Sequence, residues 1–457
     1  MKQRLLAILL AVCVLTGCGG APPASQTPPE PLDPAVFEDQ SLQYFTDHPV
    51  NDGQPITLTM WVNEDWLESY RFLVREYQKY RPNVTVKMFS FPWNTYWTKL
   101  RLALQNGTGP DVFHMHNSFL FELQPYLEPL PEALFGEQVL EKSFDWVMAD
   151  GQSERYCVNL GCATGGIFYN KQLWRQAGLT DADIPSTWEE LETLAMRLTQ
   201  YDANGKILVD GFNFKGETES LLFAMMAQKG QAVFNEASES RFLSGAGLES
   251  MEQLFRLVQQ DRVCDMDQEP AKERFGMGKA AMIYGWSWVA NDLALNYPDV
   301  EYGFFRIPAW SEQTPPAYEY HNFETSFCIN NAASEQARLV AQDLLLFYLC
   351  NDDVQVNTAC QAMIVPGKRS LREEHSNELG AVINRQIDYI DRTAYKGLVP
   401  TAVYDYLRVV LNNDVWDGTV DVSELLDAAD QEVTNILQRS RFRSALPEYP
   451  YYSEFQN

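Results

Sequence analysis

A chain of 457 residues, 46% hydrophobic and 13% aromatic, can bury a large core, which excludes intrinsic disorder. Its formal charge of −27 repels phosphate backbones and anionic headgroups, so nucleic acid is excluded as a partner. The length points to two or three domains.

The amino terminus sets the compartment. Lys2 and Arg4 form a basic n-region, and residues 5–15 are an apolar run too short to span a bilayer but suited to a signal peptide. Leu15-Thr16-Gly17-Cys18 follows and resembles the lipobox of bacterial lipoproteins. That resemblance implies residues 1–17 as the signal peptide, cleavage before Cys18, and acylation of the cysteine. The protein is then anchored at the cell membrane and faces outside the cytoplasm. Residues 18–51 read as the lipidated cysteine and a Pro-rich tether. At a polyproline rise of ~3.1 Å per residue, its 21–34 stretch reaches roughly 40 Å. No later segment is long and apolar enough for a transmembrane helix.

The folded part opens at residues 56–62, where Ile56, Leu58, Met60 and Val62 alternate with polar or aromatic neighbours at strand period. Leu67, Tyr70, Val74 and Tyr77 then recur at helical spacing. Residues 84–89 read as a second strand, and Trp97, Leu100 and Leu104 mark a second helix, ended by Gly107-Thr108-Gly109-Pro110. Residues 111–116 are a third strand. This β-α-β-α-β order favours a mostly parallel sheet covered by helices. Residues 156–170 form a long strand whose Gly161, Gly165 and Gly166 suit bending. Thr187, with Glu190 three positions on, predicts a capping box for a helix bearing Leu191, Leu194, Ala195 and Leu198. Helical patterns continue over 218–229 and 248–260. A strand at 280–284 leads into a loop at 285–291, and a short strand at 327–330 precedes a helix at 333–349. Helices at 403–411 and 423–439 follow.

Six cysteines remain beyond Cys13 and Cys18, with no CxxC pair. Cys157 and Cys162 face opposite sides of one strand and cannot bridge. Cys350 and Cys360 are close enough to pair, but buried free thiols are the simpler expectation. Asp202-Ala203-Asn204-Gly205-Lys206 begins like a calcium loop, yet Lys206 replaces an acidic ligand and no closing Glu follows, so it is a polar turn.

Four ordered segments resemble the extracellular solute-binding protein family that includes maltose-binding protein. They are Tyr169-Asn170-Lys171-Gln172-Leu173-Trp174 running on to Trp188-Glu189-Glu190-Leu191; Gly107 to Val112; Gly278-Lys279-Ala280-Ala281-Met282 leading to Gly285-Trp286-Ser287-Trp288; and Ile329-Asn330 with Val365-Pro366-Gly367-Lys368. The resemblance implies an α/β, two-lobed periplasmic-binding-protein-like fold, with mostly parallel sheets, flanking helices and a hinge between lobes. It places lobe one at 52–161 plus 321–364 and lobe two at 162–320 plus 365–457. It further implies a monomer that needs no cofactor or metal and delivers a carbohydrate to the transmembrane subunits of an ABC permease. No Gly-x-Ser-x-Gly elbow, HExxH or Walker loop points to an enzyme.

Sugars need flat apolar faces for C–H surfaces and planar polar groups for hydroxyls. Trp61-Val62-Asn63-Glu64-Asp65-Trp66 offers both at the carboxyl end of a parallel strand, where ligands of open α/β sheets sit. By resemblance Asn63, Asp65 and Trp66 face the cleft; a helix-capping role for Asn63 and Asp65 stays open. The equivalent loop after the third strand supplies His114 and Asn117. The His114/His116 pair suggests metal, but no third ligand is fixed by the sequence. In the second lobe, Trp286 matches the family's stacking tryptophan and Trp288 lies beside it, with core packing as the alternative for both. Glu217 and Glu324 are further cleft candidates.

Overall fold

The computed structural model describes residues 36–38, 42–147, 154–412 and 414–455. The residues read as signal peptide, Cys18 and most of those read as tether lie outside them. Part of the 18–51 stretch expected to be a tether is packed on the fold, however. Leu42 and Tyr44 are buried, and Gln43–Phe45 pairs with Val36–Glu38. The Tyr44 hydroxyl donates to Asp343 (2.9 Å), which also accepts from Tyr77 (2.8 Å) and faces Arg81 (3.3 Å).

The alternation of Leu58, Met60 and Val62 forms β1 (Ile56–Asn63), with those three side chains buried. The stripe of Tyr70, Leu73, Val74 and Tyr77 buries one face of α1 (Leu67–Tyr80). Next, β2 (Val84–Phe91) runs parallel to β1 from Ile56↔Val84 to Asn63↔Phe91, and α2 (Trp93–Gln105) covers the sheet. Of the third expected strand only β3 (Val112–Phe113) joins the ladder, parallel to β1. It is pinned by Asp111, whose carboxylate accepts from the Thr59 amide and hydroxyl, both at 2.7 Å.

A long strand, β4 (Asn159–Asn170), centres the second sheet and is buried along its whole length. Its glycines serve close approach rather than bending. A Cβ at Gly161 would meet the Val365 carbonyl at 2.2 Å, and one at Gly166 the Phe304 ring at 2.4 Å. Thr187 caps α3 (Trp188–Leu198), with both bonds of the capping box present. Helix α4 (Thr218–Gln228) is buried all round, as a helix inside a large core must be. Then come β5 (Met282–Trp286), α5 (Val289–Asn296), β6 (Tyr302–Phe305), β7 (Glu319–Thr325), β8 (Cys328–Ile329) and α6 (Glu335–Cys350). The short β9 (Val365–Pro366) and β10 (Thr393–Ala394) precede α7 (Thr401–Asn412) and α8 (Val422–Arg439).

The expected parallel pairing holds for β1, β2 and β3, with β8 antiparallel at the edge. Around β4 it gives way: β5, β6, β7 and β9 all pair with it antiparallel, and only β10 lies parallel, on β7. The reason is topological. One end of β4 pairs with Glu324 and Val365 near the first sheet, while its far end pairs with β5 and β6. Outgoing β4 and returning β7 are therefore the two passages between the sheets and must run opposite ways.

Two large cores follow the two sheets. One gathers Leu58, Met60, Tyr70, Leu344 and Phe347; the other gathers Trp188, Phe212, Phe223, Leu254 and Phe442. Residues 365–395 touch both: Val365 and Ile383 enter the first core, and Ala394 the second. All six cysteines are free thiols, five of them buried. No helix among the described residues is long and apolar enough to cross a membrane.

Candidate functional site

The first wall forms where β1 ends. Asn63 is buried and its Oδ1 accepts from the Asp65 amide (2.7 Å), so it caps the single turn Glu64–Trp66; its Nδ2 is left without a partner. Asp65 is exposed, and partial burial raises its carboxyl above the usual range. Glu64 and Asp292 push the same way and Lys272 opposes them. Because Asp292 lies on α5 and pairs with Lys272 at 3.1 Å, Asp65 is within electrostatic reach of the opposite side. Trp66 is buried, with its ring 5.0 Å from the His114 ring.

His114 is interior. Tyr70 Oη lies 3.3 Å from its Nδ1, its Nε2 has no partner, and burial pushes its pKa down to about 3. It is therefore a neutral imidazole whose neighbours are aromatic. Asn117 is also buried and donates through Nδ2 to Asn322 Oδ1 (2.8 Å), while Asn322 Nδ2 meets His116 Nε2 (3.1 Å). This ties the β3 loop to β7. The two histidines thus serve separate polar networks. Among the described residues, the His/acid group close enough for a cation lies elsewhere, at Asp352, Glu374 and His375, and there Lys368 Nζ already meets Asp352 at 2.6 Å.

Glu324 sits on the returning passage, opposite Gly161 and bridged to His116. Burial pushes its pKa up to about 8, and its carboxyl has no hydrogen-bond partner among the described residues.

The second wall is organised by β5. Trp286 is the last residue of that strand, not part of a loop, and it pairs with Gly165. Its Nε1 donates to Ser220 Oγ (3.3 Å), which donates to Glu217 Oε2 (3.2 Å). The ring is half-buried and also packs against the first core, so it lies between the two sheets. Trp288 is 42% exposed just before α5, with Lys272 Nζ 5.6 Å from its ring. Glu217 is partly open, and burial followed by the Glu219 charge pushes its pKa up to about 8.

Several residues here gave no signal in the sequence. Glu219 is fully buried on α4 and accepts from Arg408 Nε (3.1 Å) on α7. Glu319 accepts from Tyr284 Oη and from the Tyr320 amide, each at 2.8 Å. Lys396 lies among the rings of Phe223, Trp286, Tyr320 and Tyr404. Two surface depressions lie apart from these walls, about 750 Å³ beside Trp310 and Arg256 and about 490 Å³ beside Tyr318 and Arg392. Neither includes a residue expected from the sequence to meet ligand.

Two sheets joined by opposed passages, with the Trp286 ring between them and the Glu324 carboxyl on the returning passage, define a two-lobed protein. The profile of the bacterial extracellular solute-binding proteins matches residues 62–344, and the chain belongs to that family. A provisionally named binding protein of Brucella abortus (strain 2308) is 22% identical over 247 residues. That match covers 51% of this chain and 58% of the relative, so the chain spans little more than half the relative's length. Among solved structures, the maltose/maltodextrin-binding domain MalE of Bdellovibrio bacteriovorus bound to maltotriose is similar at 20% identity. The TM-score is 0.67, covering 84% of this chain and all of that one. UgpB of Mycobacterium tuberculosis in complex with glycerophosphocholine has 16% identity and a TM-score of 0.70, over 84% and 99% of the two chains. An ABC substrate-binding protein of Listeria monocytogenes in complex with cycloalternan has 17% identity and a TM-score of 0.68, over 84% and 100%. These likenesses fix the two-lobed fold.

Proposed function

We propose that this chain is the extracytoplasmic binding protein of an ABC importer and captures a carbohydrate, an oligosaccharide by the number of aromatic faces, between its lobes. The observation that carries the reading is Trp286, half-buried between the two sheets and linked through Ser220 to Glu217, together with the Glu324 carboxyl, which no described residue bonds. Sugar hydroxyls donate and accept, so they satisfy such groups where water otherwise must. Micromolar affinity needs about 8 kcal/mol. Two or three stacked faces at ~0.5–1.5 kcal/mol each, beyond area burial, plus several hydrogen bonds supply it. The maltotriose and cycloalternan complexes of similar folds support this substrate class.

In this reading lobe one is 52–161 plus 321–364, lobe two is 162–320 plus 365–457, and the site binds without transforming its ligand. Asn63, Asp65, Trp66, His114, Asn117 and Glu324 serve one wall, Glu217, Trp286 and Trp288 the other. Asn63 and His114 act from beneath it, by holding the loop and the Trp66 ring. Ligand bridging the lobes shifts an open–closed equilibrium by its differential affinity for the closed form. The monomeric closed form then docks on the transmembrane subunits.

The test is a thermal melt of the purified protein with maltotriose, maltotetraose, glycerophosphocholine, spermidine and a tripeptide. A ligand of the folded state raises the melting temperature by mass action. A shift with an oligosaccharide is expected. A flat sugar response beside a clear shift with glycerophosphocholine, the ligand of the UgpB complex, would replace the substrate class and keep the fold.

Anchoring belongs to the same proposal and rests on Leu15-Thr16-Gly17-Cys18. Replacing Cys18 with Ala is expected to move the protein from the membrane fraction to the medium or periplasm. Retention of Cys18→Ala in washed membranes would remove the lipid anchor from the account.

A further inference from the structure

The second wall holds a cation that the fold does not pair. Lys396 is only 5% exposed. Its Nζ lies 5.3 Å from the centre of the Tyr320 ring, 5.8 Å from Phe223 and Tyr404, and 5.9 Å from Trp286. No hydrogen bond, and no ion pair within 4.0 Å, reaches it among the described residues. Buried ammonium groups ordinarily rest against a carboxylate or a carbonyl, because desolvation is costly without such a partner. Glu319 and Glu219 act on its charge, but each is engaged elsewhere, Glu319 by Tyr284 and Tyr320, Glu219 by Arg408. Ring faces attract the charge without accepting a directed bond as an oxygen does. The three N–H donors thus remain unused beside the Trp286 ring. Burial pushes the lysine's pKa down to about 8, so the group is still mostly protonated at neutral pH.

We infer that Lys396 is the specificity-determining donor of the cleft, bonding hydroxyl oxygens of a neutral sugar unit stacked on Trp286 and turning cationic solutes away. The inference rests on the carbohydrate reading and names which group in the second wall enforces it. A hydroxyl matches the wall because it accepts from the ammonium while donating to Glu217, which Ser220 links to Trp286. Burial pushes Glu217 and Glu319 up to about 8, so at neutral pH both are mostly protonated and can accept from and donate to sugar hydroxyls without adding charge. A polyamine would draw the protons off Glu217 and Glu319, whose carboxyls titrate close to neutrality, and Lys396 is the charge that stands in its way. Removing the lysine therefore does two separable things: it deletes a donor to sugar and removes the positive charge that repels a cation.

The experiment compares wild type with Lys396→Met in melts and titrations against maltotriose and spermidine. Lys396→Met without ligand is expected to melt at or above the wild-type temperature, since an unpaired buried charge has been replaced by an apolar chain of similar length. Its Kd for maltotriose should rise at least tenfold. Spermidine, silent on wild type, should stabilise the variant. Lys396→Gln, uncharged but still a donor, takes its place if the Met variant does not fold; spermidine should stabilise it too, with a smaller loss of sugar affinity. A variant that melts lower, keeps its maltotriose Kd and ignores spermidine overturns the inference and makes the lysine structural. A wild type silent to all sugars, with a variant that gains spermidine, fails the carbohydrate reading but upholds the exclusion of cations. A wild type that binds spermidine itself overturns both.

Discussion

Trp286→Ala is expected to weaken oligosaccharide binding roughly thirtyfold or more, a loss of about 2 kcal/mol. The backbone at this position is held by the Gly165 pairing, so the ring's direction is set by β5 and not by a loop. Its edge is fixed as well, by the Nε1 bond to Ser220. A pre-set ring loses little freedom when a sugar stacks on it, which lets most of the contact appear as affinity. Covering about 80 Å² of apolar face at ~25 cal/mol per Å² accounts for the expected loss. The same truncation frees Ser220, and with it the near edge of Glu217. Trp286→Phe keeps a flat face without the donor and should recover a large part of the affinity. Trp288→Ala should cost less, because that ring stands 42% exposed. Calorimetric titration of the three variants decides the matter. Unchanged affinity in Trp286→Ala together with a lower melting temperature would assign the ring to packing against the first core.

Local chemistry was legible in the sequence where one short segment carries the whole signal. The alternation of Leu58, Met60 and Val62 gives β1, and Thr187 with Glu190 gives a complete capping box. The Asn63 cap was equally local, an amide two residues from its acceptor. Assembled environments were not legible. His114 has the right type and place for a sugar contact, yet its neighbours Trp66, Tyr70, Tyr96 and Trp97 come from three other segments and close over it. Lys396 offers no pattern at all, since the four rings around it lie at residues 223, 286, 320 and 404. Strand direction around β4 was hidden for the same reason. Period-2 alternation tells which side chains are buried but not which way a neighbouring strand runs. The walls of the site are long-range products of the fold, and only their loops could be read in advance.

Asp210→Ala should lower stability by about 3–5 kcal/mol, the cost of leaving a buried charge without its partner. Asp210 and Arg274 are both almost wholly buried, and the guanidinium contacts the carboxylate through Nε and through Nη2 at 3.3 Å. Asn213 Nδ2 adds a bond of 2.8 Å to the same carboxylate. Burial raises the Asp210 carboxyl, and its bonds from Arg274 and Asn213 act against that rise, so each charge depends on the other's contact. Arg274 also donates to the Leu208 and Lys279 carbonyls, at 3.1 and 3.2 Å. Replacing both partners with apolar side chains of similar volume removes the stranded charge, so Asp210→Leu with Arg274→Met should cost less than Asp210→Ala alone. The consequence reaches the site through β5. Asp210 and Asn213 bridge to Ala280 and Ile283, and the Tyr284 amide donates to the Asn213 carbonyl (3.0 Å), two residues before Trp286. Asp210→Ala should therefore also raise the oligosaccharide Kd at temperatures where the protein is still folded. Urea unfolding followed by tryptophan fluorescence measures the first effect and calorimetry the second. If the single variant unfolds within ~0.5 kcal/mol of wild type, as an ordinary surface change would, then Arg274 reaches water once released. The segment behind β5 would then be too loose to aim Trp286.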